Sequence, residues 1–206
     1  MNDLDALRAR AKALNLNGLL AHWPQAGCAE WVKELLDWEE QERARRSLER
    51  RLRAAHIGRF KPICEFDWAW PKRCDRAAIE ALMSLDFLKE ATNSILVGPN
   101  GVGKSTLARN IAHQALIHGH TVLFTSAGQL LGELASLDSD SALRRRLRHY
   151  AAPRLLVIDE GNDAGGIGKD LAPFGERPIG GDERAVLLVP ATDELEQQVS
   201  MTIGIG

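Results

Sequence analysis

The sequence predicts an α/β fold whose core is a parallel sheet, incomplete toward the C-terminus, preceded by an all-helical N-terminal region. Three observations predict it. Apolar residues recur at helical spacing through residues 1–57. Three short, branched, apolar segments at 94–98, 120–126 and 154–160 alternate with helical segments. A glycine-rich turn joins the first of these segments to the helix that follows it.

In chain order, Leu4, Leu7, Ala11 and Leu14 mark a helix over 3–22. Gly18, Pro24 and Gly27 loosen residues 17–28. A long helix is expected from about residue 28 to 55, with Trp31, Leu35, Trp38, Leu48 and Leu52 as its apolar positions. Residues 58–74 read as an irregular connector, packed down by Phe60, Phe66, Trp68 and Trp70. The helix at 75–86 follows, with Ile79, Leu82, Met83 and Leu85 on its apolar side. Strand 94–98, helix 106–119, strand 120–126, one or two helices over 127–150 and strand 154–160 then complete an α/β core over 75–160. In such a sheet the 154–160 strand is expected beside the 94–98 strand. Beyond residue 160 the chain is rich in glycine and proline, with one strand candidate at 185–189 and a short helix at 192–199. The expected segmentation is therefore 1–57, 58–74, 75–160 and an atypical tail, 161–206.

Charge divides the chain. Residues 1–160 carry 23 Lys and Arg against 20 Asp and Glu, and the last 46 carry 3 against 8. The basic residues concentrate in the long helix, where Arg43, Arg45, Arg46, Arg50 and Arg53 form either a solvated face or a phosphate-backbone surface. No apolar run is long enough to span a bilayer, and the N-terminus has no apolar signal core, so a cytoplasmic place is expected. Cys28, Cys64 and Cys74 have neither disulfide-framework nor zinc spacing.

The chemistry resides in one loop and one strand end. Gly98, Pro99, Asn100, Gly101, Val102, Gly103, Lys104 and Ser105 spell G-x-x-x-x-G-K-S between a strand and a helix, with Thr106 next. Phosphates need several backbone N–H groups converging on a small concavity, and glycines permit the tight turn. The helix start directs its positive end at the anion. ATP is therefore the expected ligand, with Lys104 at the β and γ phosphates and Ser105 on Mg2+. The segment Leu155-Leu156-Val157-Ile158-Asp159-Glu160 is an apolar strand ending in two acids. Asp159 is the second expected contact to Mg2+, and Glu160 the expected base for an attacking water. Lys104, Asp159 and Glu160 are the catalytic candidates.

These residues carry a family resemblance. The charged helix WEEQERARRSLERRLRAAHIGRFKPICEFDW, the loop LVGPNGVGKSTLARNIAHQALIHGHTVLFTSAGQLLGEL and LLVIDE resemble the IstB-like helper ATPases of IS21-type insertion sequences, relatives of the DnaC helicase loaders, over about residues 1–160. The resemblance implies an AAA+ core behind a helical region. It implies binding to double-stranded DNA, ATP-dependent homo-oligomerisation, and assistance to a transposase in DNA transposition. It matches Lys104 and Ser105 to the Walker A pair, Asp159 and Glu160 to the Walker B pair, and the Arg43 to Arg53 region to the basic helix before the core. An active member would convert ATP and water to ADP and phosphate, stimulated by DNA. After LLVIDE the family's further motifs, including a polar sensor strand, are absent here. A frameshifted or degenerate tail is one reading of that departure. A helicase-loader-like role and a non-hydrolysing nucleotide-binding role stay open as alternatives.

Overall fold

A computed structural model describes residues 3–69, 74–160 and 183–191. The expected helix at 192–199, Trp70 and the start of the tail at residue 161 lie outside the described residues. The chain forms two compact units divided between Arg50 and Arg51.

The first unit contains α1 (Asp3–Ala13), α2 (Asn17–Ala21), α3 (Trp23–Ala26) and most of α4 (Glu30–Ala55). The single helix expected over 3–22 is two helices. Asn15 takes a left-handed φ of 52°, a conformation Asn tolerates better than branched residues do, and this ends the first run. Ala11, Leu14, Val32 and Leu36 form the small core. This corrects the apolar face expected for α4: Val32 and Leu36, four residues apart, are fully buried, whereas Trp31 is 52% and Trp38 63% exposed. Arg10 forks onto Asp37 at 2.5 Å and Glu40 at 2.7 Å, tying α1 to α4. The Arg10 hydrogen bond holds the Glu40 carboxyl below its ordinary range.

The second unit is built on a sheet of β1 (Ser94–Pro99), β2 (Val122–Ser126), β3 (Leu155–Asp159) and β4 (Glu183–Pro190), in the order β1-β4-β3-β2. β2 and β3 pair in parallel, and β4 runs antiparallel to both β1 and β3. The core is therefore a mixed sheet in which β1, β2 and β3 share one direction. The expectation that β3 lies beside β1 is corrected, because β4 separates them. The reason is in its sequence. Ala185 to Val189 are all buried, and a run that is apolar on both faces is most stable at the centre of a sheet.

Around this sheet the chain forms α5 (Arg76–Met83), α6 (Asp86–Lys89), α7 (Lys104–Ile117), α8 (Ala127–Ala135) and α9 (Asp140–Ala151). The split expected within 127–150 falls between α8 and α9. Ser139 caps α9 by accepting from the Ala142 N–H at 3.3 Å. Helix α7 touches all four strands and buries Leu107, Ala108, Ile111, Ala112, Ala115 and Leu116. Leu130, Leu134, Leu147 and Tyr150 of α8 and α9 pack with Leu156, Leu187 and Val189. Alternation along β3 and β4 assigns these last three residues to one face of the sheet.

A polar tie joins α8 to α9. Glu133 accepts from the Tyr150 hydroxyl at 2.5 Å, from Gln129 at 3.1 Å and from Arg146 Nε at 2.8 Å. These bonds, that of Tyr150 first, hold the Glu133 carboxyl at about 2, and burial with the Glu133 bond pushes the Tyr150 phenol up to about 12.

Two outcomes are expected. Leu156 is 1% exposed, so Leu156→Ala removes core contacts and costs about 2–5 kcal/mol in urea unfolding. An unchanged midpoint would place Leu156 outside the core. Glu133 has a depressed folded pKa, so its contribution is present above its ordinary 4.5 and fades as pH falls toward about 2. The stability gap between wild type and Glu133→Gln, followed by unfolding at stepped pH, should narrow through that window. A gap constant across it contradicts the carboxylate tie.

Candidate functional site

Strand β1 delivers the loop. Gly98 and Pro99 are its last two residues, and α7 begins at Lys104. Between them Gly101 has φ +78° and Gly103 φ +93°, left-handed values that a side chain makes costly. Gly103 is further constrained by a neighbour. A Cβ there would lie 2.6 Å from Cε2 of Phe66, inside any tolerable contact. The loop is therefore bounded on one side by the connector. Asn110, itself buried, donates to the Lys61 and Thr106 carbonyls at 2.9 and 2.8 Å and fastens that connector to α7. Phe60 meets the His113 ring edge-on, and Phe66 meets Trp68 likewise, with the Arg76 guanidinium 5.0 Å over the Trp68 ring.

Lys104 spans the loop. Its Nζ donates to the Gly98 carbonyl at 2.8 Å and the Pro99 carbonyl at 2.7 Å. The ammonium thus sits across the turn made by Asn100, Gly101 and Val102, close to the start of α7, where Ser105 and Thr106 occupy the first turn. Unsatisfied helix N–H groups, a lysine ammonium and a hydroxyl side by side suit an anion with several oxygens.

The acids reach the same sheet edge. Leu96 pairs with Val186, Val186 with Asp159, and Asp159 with Ser126, so β3 and β2 end in one row at the level of Leu96, and β1 runs three residues further to Pro99. With β4 between them, β1 and β3 are about 10 Å apart, which leaves room for a ligand over the strand ends. Asp159 is half-buried. Glu160 is only 2% exposed; its N–H donates to the Ala185 carbonyl at 3.2 Å and its Oε2 accepts from the Ala185 N–H at 2.6 Å. A buried carboxylate of this kind is tolerated because a backbone donor satisfies it. Nothing near Glu160 in the sequence identifies that partner. The available signal was the apolar run at 185–189, which had to pair with something.

The donor set fits Mg2+ with a nucleotide: one hydroxyl, Ser105, and one carboxylate, Asp159, match an ion that takes few protein ligands and completes its shell with phosphates and water. Among the described residues no group of three His, Cys, Asp or Glu side chains is placed to hold a metal ion.

The basic candidates on α4 are partly engaged. Arg43 pairs with Glu39 at 3.4 Å, Arg45 with Glu42 at 2.8 Å and also with Glu49, and Arg46 with Glu42 at 2.6 Å. The Arg45 bond first, then that of Arg46, hold the Glu42 carboxyl at about 2. Arg50 and Arg53 are exposed and have no carboxylate partner among the described residues.

Comparison with known proteins agrees with this geometry. Residues 3–163 match the family model described as "IstB-like ATP binding protein". The chain is similar to "Insertion sequence IS21 putative ATP-binding protein" of Pseudomonas aeruginosa, 31% identical over 78% of this chain and 63% of the relative. It is 30% identical to "Insertion sequence IS5376 putative ATP-binding protein" of Geobacillus stearothermophilus, over 64% of this chain and 53% of the relative. It is 29% identical to "Insertion sequence IS232 putative ATP-binding protein" of Bacillus thuringiensis, over 64% and 52%. The chain thus spans between half and two thirds of the length of these relatives. With the family match covering most of its residues, the chain belongs to the IstB-like ATP-binding proteins.

Proposed function

We propose that this chain is an ATP-binding, DNA-associated AAA+ protein that assists a transposase in DNA transposition. The observation that carries the nucleotide part is the loop from Gly98 to Ser105, with two left-handed glycines and Lys104 held across it at the head of α7. The relatives' names, each an ATP-binding protein of an insertion sequence, support the transposition setting. ATP enters with its phosphates over the loop. The backbone N–H groups of Gly101, Val102 and Gly103 and the first turn of α7 receive them. Lys104 exchanges the Gly98 and Pro99 carbonyls for phosphate oxygens, trading neutral acceptors for charged ones. Ser105 and Asp159 would hold Mg2+, which would supply charge neutralisation at the phosphates. Glu160 orients water while the Ala185 peptide fixes its carboxylate.

Double-stranded DNA is the proposed macromolecular partner. Arg43, Arg45, Arg46, Arg50 and Arg53 are the proposed α4 contacts, with Arg50 and Arg53 the most available of them. ATP-dependent self-association and a cytoplasmic setting complete the reading. No helix among the described residues is long and apolar enough to cross a membrane.

A second reading has its own observation. Glu160 is buried and already bonded, which favours an ATP-dependent binding switch without turnover.

The experiments separate these readings. Lys104→Ala should weaken ATP binding about 10- to 100-fold, the loss expected for charge-assisted bonds, measured with a fluorescent ATP analogue. Unchanged affinity would remove the loop from the site. Glu160→Gln keeps an oxygen for the Ala185 N–H, so it should bind ATP normally and lose turnover by roughly 100-fold or more, the scale of a lost base. Wild type and Glu160→Gln showing the same absence of phosphate release, with ATP bound in both, selects the switch reading.

A further inference from the structure

Helix α9 carries basic residues that take no part in the nucleotide loop or the α4 surface. Its sequence, DSALRRRLRHYA, holds four arginines and one acid, Asp140. The helix sorts them. Leu147 and Tyr150 are buried toward the sheet, and Arg146 is consumed by Glu133. Arg144, Arg145 and Arg148 are exposed. Among the described residues none of these three has a carboxylate partner; Asp140, four residues before Arg144, makes no ion pair with it. Glu133, the nearest acid on α8, already serves Tyr150, Gln129 and Arg146. This contrasts with α4, where three of six arginines are neutralised by glutamates of the same helix.

We infer that the outer face of α9, with Arg144, Arg145 and Arg148, is a second contact surface for the phosphate backbone of double-stranded DNA. The inference rests on the DNA-associated reading above and adds to it a surface on the ATPase unit itself. Arg144 and Arg148 lie one turn apart, about 6 Å along the helix, so both reach one strand at once. Arg145 also lines a cleft of about 420 Å³ between α8 and α9, with Ser136, Ala142, His149 and the Arg146–Glu133 pair, whereas Arg144 and Arg148 stand outside it. The chemistry favours nucleic acid over a protein partner. Protein interfaces are organised around an apolar centre, and no large exposed hydrophobic side chain lies on α9. Phosphate contacts need only charge and reach, which arginine supplies with a planar fork. Helix α9 also leads through residues 152–154 into β3, so a load on it bears on the strand that ends at Asp159.

The test uses the full chain and a short fluorescein-labelled duplex of random sequence, titrated at several salt concentrations. Arg144→Ala/Arg145→Ala/Arg148→Ala should weaken binding roughly tenfold or more and flatten the log–log salt slope by about 2–3, one increment per lost phosphate contact. Binding of a fluorescent ATP analogue should be unchanged, which establishes that the variant is folded. The matching triple lysine variant should recover most of the affinity. Unchanged duplex affinity and slope in the alanine variant, with wild type binding normally, overturn the α9 surface and leave the proposed function standing. Loss of self-association with duplex binding intact overturns it in favour of a protein interface. Wild type that binds no duplex at low salt takes down the DNA-associated reading and the α9 surface together.

Discussion

The interaction on which this structure depends is the insertion of β4 between β1 and β3. Without it, β1 has no partner among the described strands, and β3 keeps only β2. Unpaired ladder groups beside an apolar interior are costly, and two of the buried faces that α7, α8 and α9 cover would be missing their centre. The same strand holds the candidate acid: one residue, Ala185, accepts from the Glu160 N–H with its carbonyl and donates to the Glu160 carboxylate with its N–H. Sheet closure and placement of Glu160 are thus one event. The residues that accomplish it lie at 183–190, beyond the 3–163 span that matches the family, so a segment outside the matched region fills the centre of the sheet.

The loop depends on a second constraint, its backing by the connector. Phe66 lies where a Gly103 side chain would be, and Asn110 ties the connector's Lys61 carbonyl to α7. At the other end of α7, Arg51 donates to the Leu116 carbonyl at 3.2 and 3.1 Å, a cation at the negative end of the helix dipole. The helix that carries Lys104 and Ser105 is therefore fixed at both ends by residues that precede the sheet in sequence. Pre-positioning of this kind lowers the ordering cost that a bound phosphate would otherwise meet.

Much of this was legible in the sequence because it is local. The loop motif fixed its own place between strand and helix, and the apolar runs give the order of β1, α7, β2 and β3 with ends within two residues of those expected. What was hidden is long-range. Residues 185–189 read as a strand, yet nothing local says that a later strand enters antiparallel between two earlier ones. Trp31 and Trp38 misled for a different reason. Their size suggested a core face, but Val32 and Leu36 pack closer to α1, and the rings stay outside. Charge counting on α4 located its arginines without showing that Glu39, Glu42 and Glu49 sit within reach of three of them.

The central claim, that a strand from the tail completes the nucleotide-binding sheet, is tested most directly by hydrogen–deuterium exchange of the free protein, read on the peptide covering 183–190. Central ladder amides open only with the sheet itself. The account predicts that this peptide exchanges as slowly as the peptide covering Leu155–Asp159. Exchange at the rate of an unstructured segment, beside a protected β3, would contradict it.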